Sequence, residues 1–423
     1  MVDMHSGDPG VNSGDSTKKE RDSCWERVRH FMDDRGLDGL LVFGSDKLGL
    51  DHYLTNDRPG QHLIFPRHGK MVSMAFSAQV PADNLTSVER GEDTWLDDMR
   101  IGLGGQTVVK TLREKGLEKK LIGVVGIGGL GTGFMGEGWV LYQTWATIKE
   151  ALPATTFQNV TLDFVLLMLE RSPRDIACLR RAASAGEEAC KAMIAATRPG
   201  AMERDVYNAA ICTIHQAGAQ TTGLILTSGP DNTAWGPPTW VYREEKPRVL
   251  QEGDIVMVEL FPRVAGMEAQ QQLSIAIGRV HPNHERCAKA ARKSYEAGLA
   301  AIRPGVKFSE VSDIMEQPVR ELGGWHITPH IHTMNPHSHT DSVGVDLEKQ
   351  VPELARRFPH IRGRERGGGD FALKPGMTLS VQPNAQLGRH RINIGGTVVV
   401  TETGAEELNS IPNFLQRVPG KKE

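Results

Sequence analysis

The chain has 423 residues, and this length predicts two domains rather than one continuous hydrophobic core. A hydrophobic fraction of 39%, a charged fraction of 24% and a mean hydropathy of -0.34 are typical of globular proteins and exclude a disordered or membrane-embedded chain. The formal net charge of -3 gives no field that would attract nucleic acid or anionic lipid. The five cysteines are odd in number and widely spaced, which favours a reducing cytoplasm.

The N-terminal part of the chain predicts an α/β domain. Residues 1–22 are polar and lack the apolar stretch of a signal peptide, so they predict a disordered leader. Apolar residues then follow helical spacing from Cys24 to Asp33, and an apolar strand runs from Leu40 to Phe43. This alternation recurs downstream, so residues 23–160 are predicted to form one small α/β domain.

Residues 161–423 predict a second domain that opens with a pair of helices. Ser172 before Pro173 is a helix start, and Pro199-Gly200 separates the first helix from the second. The tripeptide Arg-Pro-Gly followed by a helix occurs at residues 198–200 and again at residues 303–305. A duplicated helix–helix–strand unit explains this pattern, with coincidence of two short matches as the alternative.

Six segments of the second domain carry a family resemblance through their order and spacing. They are SPRDIACLRRAASAGEEA, TRPGAMERDV, LQEGDIVMVELFPRVAGMEAQQQLSIAIG, HIHTMNPHSH, LKPGMTLSVQP and VVVTETGAEEL. The chain resembles the creatinase, aminopeptidase P and prolidase family, and VELFPRVAG is closest to the creatinase branch, which works without metal. The resemblance implies an α/β N-terminal domain, an α+β pita-bread catalytic domain with a curved antiparallel sheet backed by two helix pairs, and a homodimer.

The resemblance also implies five positions that hold two metal ions in metal-dependent relatives. In this chain the two Asp positions, the His position and the two Glu positions are Glu259, Gln270, His332, Gln382 and Gly395. One carboxylate and one imidazole remain, and neutral amides are poor ligands for hard divalent cations. We therefore expect no two-metal cluster and no metal cofactor.

Three residues are candidates for acid–base catalysis. Glu259 ends a strand of apolar residues, so its carboxylate is predicted to be buried and to need a partner. His332 at the metal-ligand position is the predicted partner, and His339 falls at the substrate-contact position that the resemblance implies. The alternative for Glu259 is a carboxylate satisfied by backbone amides at the end of the strand.

Six further residues are candidates for substrate binding. Alternation along a strand sends Gln270 and Gln272 to the same face, and the resemblance places Gln382 beside them. The creatinase proton-shuttle His corresponds to Tyr242, and the creatinase Glu that grips a guanidinium group corresponds to Gln272. A neutral or anionic substrate is therefore favoured over a cationic one. The aromatic segment that contains Trp235 and Trp240 is predicted to line a remodelled pocket wall.

Other polar residues leave alternatives open. His326, His330 and His337 lie in a histidine-rich segment and are predicted to be satisfied histidines of a solvated loop. A zinc site built from histidines stays open, because the required three-ligand geometry cannot be read from this spacing. Arg58 and His62 fall where creatinase-like dimers send a loop into the partner's pocket, with an ordinary solvent-facing turn as the alternative.

Together these features predict a creatinase-like, metal-independent hydrolase or lyase that cleaves a carbon–nitrogen or related bond of a small polar metabolite. The predicted protein is a cytoplasmic homodimer with no nucleic-acid or membrane partner. A non-catalytic pita-bread binding or scaffold protein is the first alternative. An Xaa-Pro peptidase with a divergent metal site is the second.

Overall fold

A computed structural model describes residues 14–45, 48–129, 138–231, 234–345 and 347–421. The chain divides into two compact units, Met1–Met168 and Leu169–Glu423. The division falls after Met168 rather than after residue 160 as predicted. The reason is that helix α6 (Thr161–Met168) contributes Phe164, Val165 and Met168 to the hydrophobic core of the first unit.

The first unit is built on a six-stranded mixed sheet. Its order is β4-β3-β2-β1-β5-β6, with antiparallel pairing of β1 to β2 and β2 to β3 and parallel pairing elsewhere. The strands are β1 (Gly39–Phe43), β2 (His62–Pro66), β3 (Val72–Ala75), β4 (Met99–Ile101), β5 (Leu121–Val125) and β6 (Thr156–Asn159). The helices are α1 (Gly14–Asp33), α2 (His52–Thr55), α3 (Gln79–Glu89), α4 (Gly105–Glu114), α5 (Tyr142–Ala151) and α6.

Strand β1 is apolar throughout because both faces of this sheet are covered. Leu40 and Val42 belong to one hydrophobic cluster, and Leu41 and Phe43 belong to another. Successive side chains of a strand point to opposite faces, so each face of β1 has its own core. Helix α1 packs on the first cluster and begins at Gly14, so residues 14–22 are helical rather than part of a disordered leader. Residues 1–13 of that leader lie outside the described residues.

The second unit contains an eight-stranded sheet whose main path is β12-β13-β16-β11-β8-β7, with β17 paired to β16 and β18 paired to β11. The strands are β7 (Leu224–Gly229), β8 (Ile255–Leu260), β9 (Arg263–Val264), β10 (Met267–Glu268), β11 (Gln271–Ile277), β12 (Ile331–Thr333), β13 (Thr378–Val381), β14 (Asn384–Leu387), β15 (His390–Asn393), β16 (Gly395–Val400), β17 (Ala405–Glu407) and β18 (Gln416–Val418). The helices are α7 (Pro173–Ala196), α8 (Glu203–Gln216), α9 (Pro282–Ala301), α10 (Phe308–Glu321), α11 (Leu347–Gln350) and α12 (Pro352–Arg357). All pairs on the main path are antiparallel. This antiparallel sheet with its helices confirms the predicted pita-bread architecture.

The two Arg-Pro-Gly turns have the same geometry. Gly200 and Gly305 both have a φ of 86°, a conformation that favours glycine. The N–H of Gly200 donates to the carbonyl of Leu250, and the N–H of Gly305 donates to the carbonyl of Leu373. Leu250 and Leu373 each stand three residues before a glycine of positive φ, and these glycines lead into β8 and β13. The two repeats are therefore structurally equivalent as well as similar in sequence.

Each repeat also carries a short hairpin after its first long strand. Strands β9 and β10 form one hairpin, and β14 and β15 form the other. Ala265 and Gly388 have φ values of 47° and 56° in the two turns. These hairpins place polar residues beside the ends of β8 and β13. No helix within the described ranges is long and apolar enough to span a membrane.

Candidate active site

A buried triad of Glu259, Gln272 and Gln382 occupies the centre of the second sheet. Glu259 is the penultimate residue of β8, Gln272 lies opposite it on β11, and Gln382 directly follows β13. The Nε2 of Gln272 donates to Oε1 of Glu259 at 2.8 Å and to Oε1 of Gln382 at 2.6 Å. Ser380 Oγ also lies 3.3 Å from each of the two glutamine side chains. We call Glu259, Gln272 and Gln382 the amide–carboxylate triad.

Burial controls the charge of Glu259. The side chain is withdrawn from water, and this burial raises the pKa of Glu259 to about 7. The hydrogen bond from Gln272 and the positive charge of Arg391 act in the opposite direction, as does a hydrogen bond from Trp235. A carboxyl group with this pKa exchanges a proton close to neutral pH, which suits acid–base chemistry.

Arg391 is the residue that sequence reasoning missed. Its side chain is fully buried on β15, its Nη2 donates to Thr328 Oγ1 at 2.7 Å, and its Cζ lies 4.3 Å from the ring centroid of Trp235. Its Nε and Nη1 are buried without a hydrogen-bond partner. Burial lowers the pKa of Arg391 to about 9, and the charge of Glu259 counteracts this. In the sequence, the segment HRIN carries no signal of a buried arginine.

Three other predicted substrate-binding residues take no part in the described hydrogen bonds of the triad. Gln270 donates from Nε2 to Glu268 at 3.2 Å, and its Oε1 is buried without a partner. Trp240 donates from its indole nitrogen to Glu203 at 3.3 Å and packs edge-on against Tyr207. The side chain of Tyr242 is 58% exposed. The aromatic segment thus contributes Trp235, rather than Trp240, to the surroundings of Glu259.

The two predicted catalytic histidines are buried and have contacts of their own. His332 Nδ1 is hydrogen-bonded to the carbonyl of Thr333 at 2.9 Å, and its ring stacks on His337 with centroids 3.9 Å apart. His339 Nδ1 lies 2.9 Å from Ser338 Oγ. Burial lowers the pKa of both histidines to about 4, so they are neutral at pH 7. Among the described contacts, no hydrogen bond or ion pair joins His332 to Glu259.

His326 and His330 are buried together with Asp341, and the prediction of a solvated loop is wrong for these two histidines. They are 5% and 0% exposed, and Asp341 is 0% exposed. One donor atom from each residue lies within 4.8 Å of the donor atoms of the other two. It is the one such group of three potential metal donors within the described ranges. We call it the histidine–aspartate cluster.

Arg58 and His62 belong to the first unit and have local partners. Arg58 is exposed and its Nη2 lies 2.6 Å from Asp83. His62 begins β2 and packs edge-on against Phe43 with ring centroids 4.9 Å apart. His62 is therefore a sheet residue rather than part of a solvent-facing turn.

Comparisons with known proteins show the family to which this chain belongs. Residues 177–402, more than half of the chain, match the family model described as metallopeptidase family M24. The chain belongs to metallopeptidase family M24.

Individual relatives are peptidases. The probable dipeptidase PepE of Mycobacterium tuberculosis strain H37Rv is 25% identical over 256 residues, which cover 60% of this chain and 62% of that protein. The structure of dipeptidase PepE from Mycobacterium ulcerans has a TM-score of 0.69 at 19% identity and covers 94% of this chain and 98% of its own. The structure of the prolidase from Pyrococcus horikoshii has a TM-score of 0.69 at 14% identity and covers 92% of this chain and 99% of its own. These two structures confirm the fold.

The comparisons correct the predicted function. A metal-independent creatinase-like hydrolase or lyase is contradicted, because the relatives with sequence similarity are named as peptidases and the family is one of metallopeptidases. The expectation that the protein works without a metal is contradicted for the same reason. The family assignment supports hydrolysis, and it favours the peptidase alternative.

The five family ligand positions do not fit a pair of divalent cations in this chain. Gly395 has a φ of 139°, and a Cβ built there would overlap the carbonyl oxygen of Val381, so the position cannot carry a carboxylate side chain. Gln382 is engaged with Gln272, and Gln270 is engaged with Glu268. The charge of Arg391 acts directly on Glu259, which opposes the binding of further cations there. A metal ion therefore needs donors other than these five.

Proposed function

We propose that this protein is a peptidase that hydrolyses dipeptides or similarly short peptides with a free C-terminal carboxylate. The observation that carries the proposal is the buried guanidinium of Arg391, which has two unpartnered N–H donors and acts electrostatically on Glu259. Membership of a metallopeptidase family and the likeness to a probable dipeptidase support the reaction class.

The chemistry of Arg391 favours a carboxylate ligand. A buried charge needs a counter-ion or hydrogen bonds, and guanidinium groups bind carboxylates through two parallel N–H donors. Thr328 takes one donor, and the Trp235 ring covers the guanidinium group from one side. A substrate carboxylate that accepts from Nε or from Nη1, which lie on different edges of the guanidinium group, would supply a missing acceptor.

The side chains of the amide–carboxylate triad suit the peptide bond of such a substrate. Hydrolysis breaks the amide C–N bond, adds the oxygen of water to the carbonyl carbon and returns a proton to the leaving amine. Glu259 is the proposed group that takes up and releases this proton, and Gln272 and Gln382 are proposed to orient the peptide. His332 and His339 remain proposed acid–base contributors from the sequence, and at neutral pH they would act as neutral imidazoles.

The test compares dipeptides with their C-terminal amides, assayed with and without added Zn²⁺, Mn²⁺ and Co²⁺. We expect kcat/KM for the free acids to exceed that for the amides at least tenfold in the wild type. Arg391→Gln should abolish this preference, and Arg391→Lys should restore part of it. Equal rates for acids and amides in the wild type, or an unchanged preference in Arg391→Gln, would contradict the proposal.

Arg389→Gln is the matched control. Arg389 lies two residues away in the turn of the same hairpin, is half-exposed, and pairs with Asp231 at 3.6 Å. Its substitution should leave the acid preference intact. Thermal unfolding of each variant separates loss of binding from loss of fold.

A further inference from the structure

We propose that His326, His330 and Asp341 bind a single divalent transition-metal ion, with Zn²⁺ as the ion that best suits this donor set. Two imidazoles and one carboxylate are the ligands of many catalytic zinc sites, which leave the fourth position open. The inference rests on the geometry of the cluster alone and goes beyond the proposed peptidase activity. The five family ligand positions share none of these three residues.

The backbone fixes the three donors relative to one another. His326 and His330 flank the turn before β12, and Asp341 lies on the segment that returns beside that strand. The N–H of Asp341 donates to the carbonyl of Ile331 at 3.1 Å, and the N–H of Gly344 donates to the carbonyl of His326 at 3.0 Å. Because both ends of the segment are hydrogen-bonded, the cluster is assembled by regular pairing and does not depend on a ligand.

Two donor atoms of the cluster are buried without a hydrogen-bond partner, namely Nε2 of His330 and Oδ2 of Asp341. Both side chains are 0% exposed. A buried polar atom without a partner costs free energy, and it calls for an ion or a water molecule. Two such atoms that belong to one three-residue group indicate a shared ligand.

The remaining contacts hold each residue in an orientation that suits metal binding. His326 Nδ1 lies 2.9 Å from the carbonyl of Thr328, so Nδ1 carries the proton and Nε2 offers a lone pair. Oδ1 of Asp341 accepts from Ser312 Oγ and from the N–H of Ser342, and Arg366 Nε lies 3.7 Å from it. These bonds anchor one carboxylate oxygen and leave the other for the ion.

Binding would require a small rearrangement. Donors about 2.1 Å from a tetrahedral zinc ion are about 3.4 Å apart, so the ion would draw the three side chains closer than their present separation of up to 4.8 Å. The N–H of Asn384 donates to Nδ1 of His330 over 3.4 Å. A neutral imidazole that binds zinc through Nε2 carries its proton on Nδ1, so this long contact would be lost on binding.

The test measures metal rather than catalysis. Tag-free full-length protein is stripped with a chelator, loaded with Zn²⁺ or Co²⁺, and its metal content and visible cobalt absorption are recorded. We expect one equivalent per chain, and at least a tenfold loss of affinity in Asp341→Asn and in His326→Gln. Glu259→Gln and His360→Gln should bind normally, since Glu259 belongs to the triad and His360 is exposed.

Failure of this inference is distinct from failure of the peptidase proposal, because no peptide is present. Absence of stoichiometric metal would overturn it, and so would loss of binding in Glu259→Gln with normal binding in Asp341→Asn. If a cluster variant does not fold, X-ray absorption of the loaded wild type decides the question. Coordination of the metal by two imidazole nitrogens and by oxygen atoms supports the site, and any other set of ligands overturns it.

Discussion

The backbone N–H of Gln382 donates to the carbonyl oxygen of His330 over 2.8 Å. This hydrogen bond joins the amide–carboxylate triad to the histidine–aspartate cluster at the edge of the sheet where β12 pairs with β13. The Nε2 of Gln382 strengthens the link by donating to the carbonyl of Pro329 at 3.2 Å. The two polar groups of the second unit are therefore joined through one short stretch of backbone.

Gln272→Ala should destabilise the protein. The amide of Gln272 is the donor that satisfies both Glu259 and Gln382, and its removal leaves buried oxygens without that partner. The expected cost is about 1–3 kcal/mol in the free energy of unfolding, measured by urea denaturation. Gln317→Ala, which removes an exposed amide on α10, should change it by less than about 0.5 kcal/mol. Equal stabilities of the two variants would show that the triad contributes nothing to folding.

Gly395→Ala should be more damaging than an ordinary glycine substitution. The positive φ of 139° strains any L-residue, and the new Cβ would overlap the backbone of Val381 and Gln382. We expect a loss of more than about 2 kcal/mol, measured as a lowered unfolding midpoint. Gly236→Ala is the control, because nothing lies within 4 Å of a Cβ built there. A Gly395→Ala protein as stable as Gly236→Ala would contradict the reason given for the missing ligand.

The stability of the first unit should depend on pH through His62. Burial lowers the pKa of His62 from 6.5 to about 4 in the folded chain. Between these values the unfolded chain binds more protons, so stability is complete above about pH 6.5 and falls as the pH drops towards 4. The full effect is at most about 3 kcal/mol. Urea midpoints at pH 7.5 and pH 5 should differ less in His62→Gln than in the wild type, and an identical difference would refute the assignment.

Arg248→Ala should strongly destabilise the second unit. Arg248 holds Asp254, whose side chain is 2% exposed, through two hydrogen bonds, and it also donates to Ser228 at 3.2 Å. Removal of the arginine leaves a buried carboxylate with no counter-charge, at an expected cost of about 3–5 kcal/mol. Arg417→Ala breaks the half-exposed pair with Glu285 and should cost about 1 kcal/mol or less. Both losses are measured by thermal unfolding. Similar losses in both variants would show that burial does not determine the cost.

The fold was predictable from the sequence because its signals are local and repeated. Ser172 and Pro173 begin α7 as predicted, and Ser172 Oγ accepts from the N–H of Asp175. The two Arg-Pro-Gly tripeptides each precede a helix in the structure. Apolar runs such as residues 255–258 form strands, because every position of β8 is buried.

The chemistry of the site was less predictable, because it depends on contacts between residues far apart in the chain. Register with the family placed Glu259, Gln272 and Gln382 together, because each lies in or directly after an apolar strand that the sequence predicts. Spacing could not show that Asp341 folds back onto His326 and His330. It also could not show that Arg391, 132 positions after Glu259, acts on its charge. The metal-free prediction was wrong because the chain belongs to a family of metallopeptidases.

Corresponding positions of the two repeats in the second unit carry side chains of opposite charge. Leu250 precedes Glu259 by the same interval as Leu373 precedes Gln382, and by this register Glu268 of the first hairpin corresponds to Arg391 of the second. Arg263 pairs with Glu268 at 2.6 Å, so the ionised form of Glu259 is the negative pole and Arg391 the positive one. The two repeats thus place opposite charges on the two sides of the region where they meet. A zwitterionic dipeptide would align with these charges, its ammonium group towards the first repeat and its carboxylate towards the second.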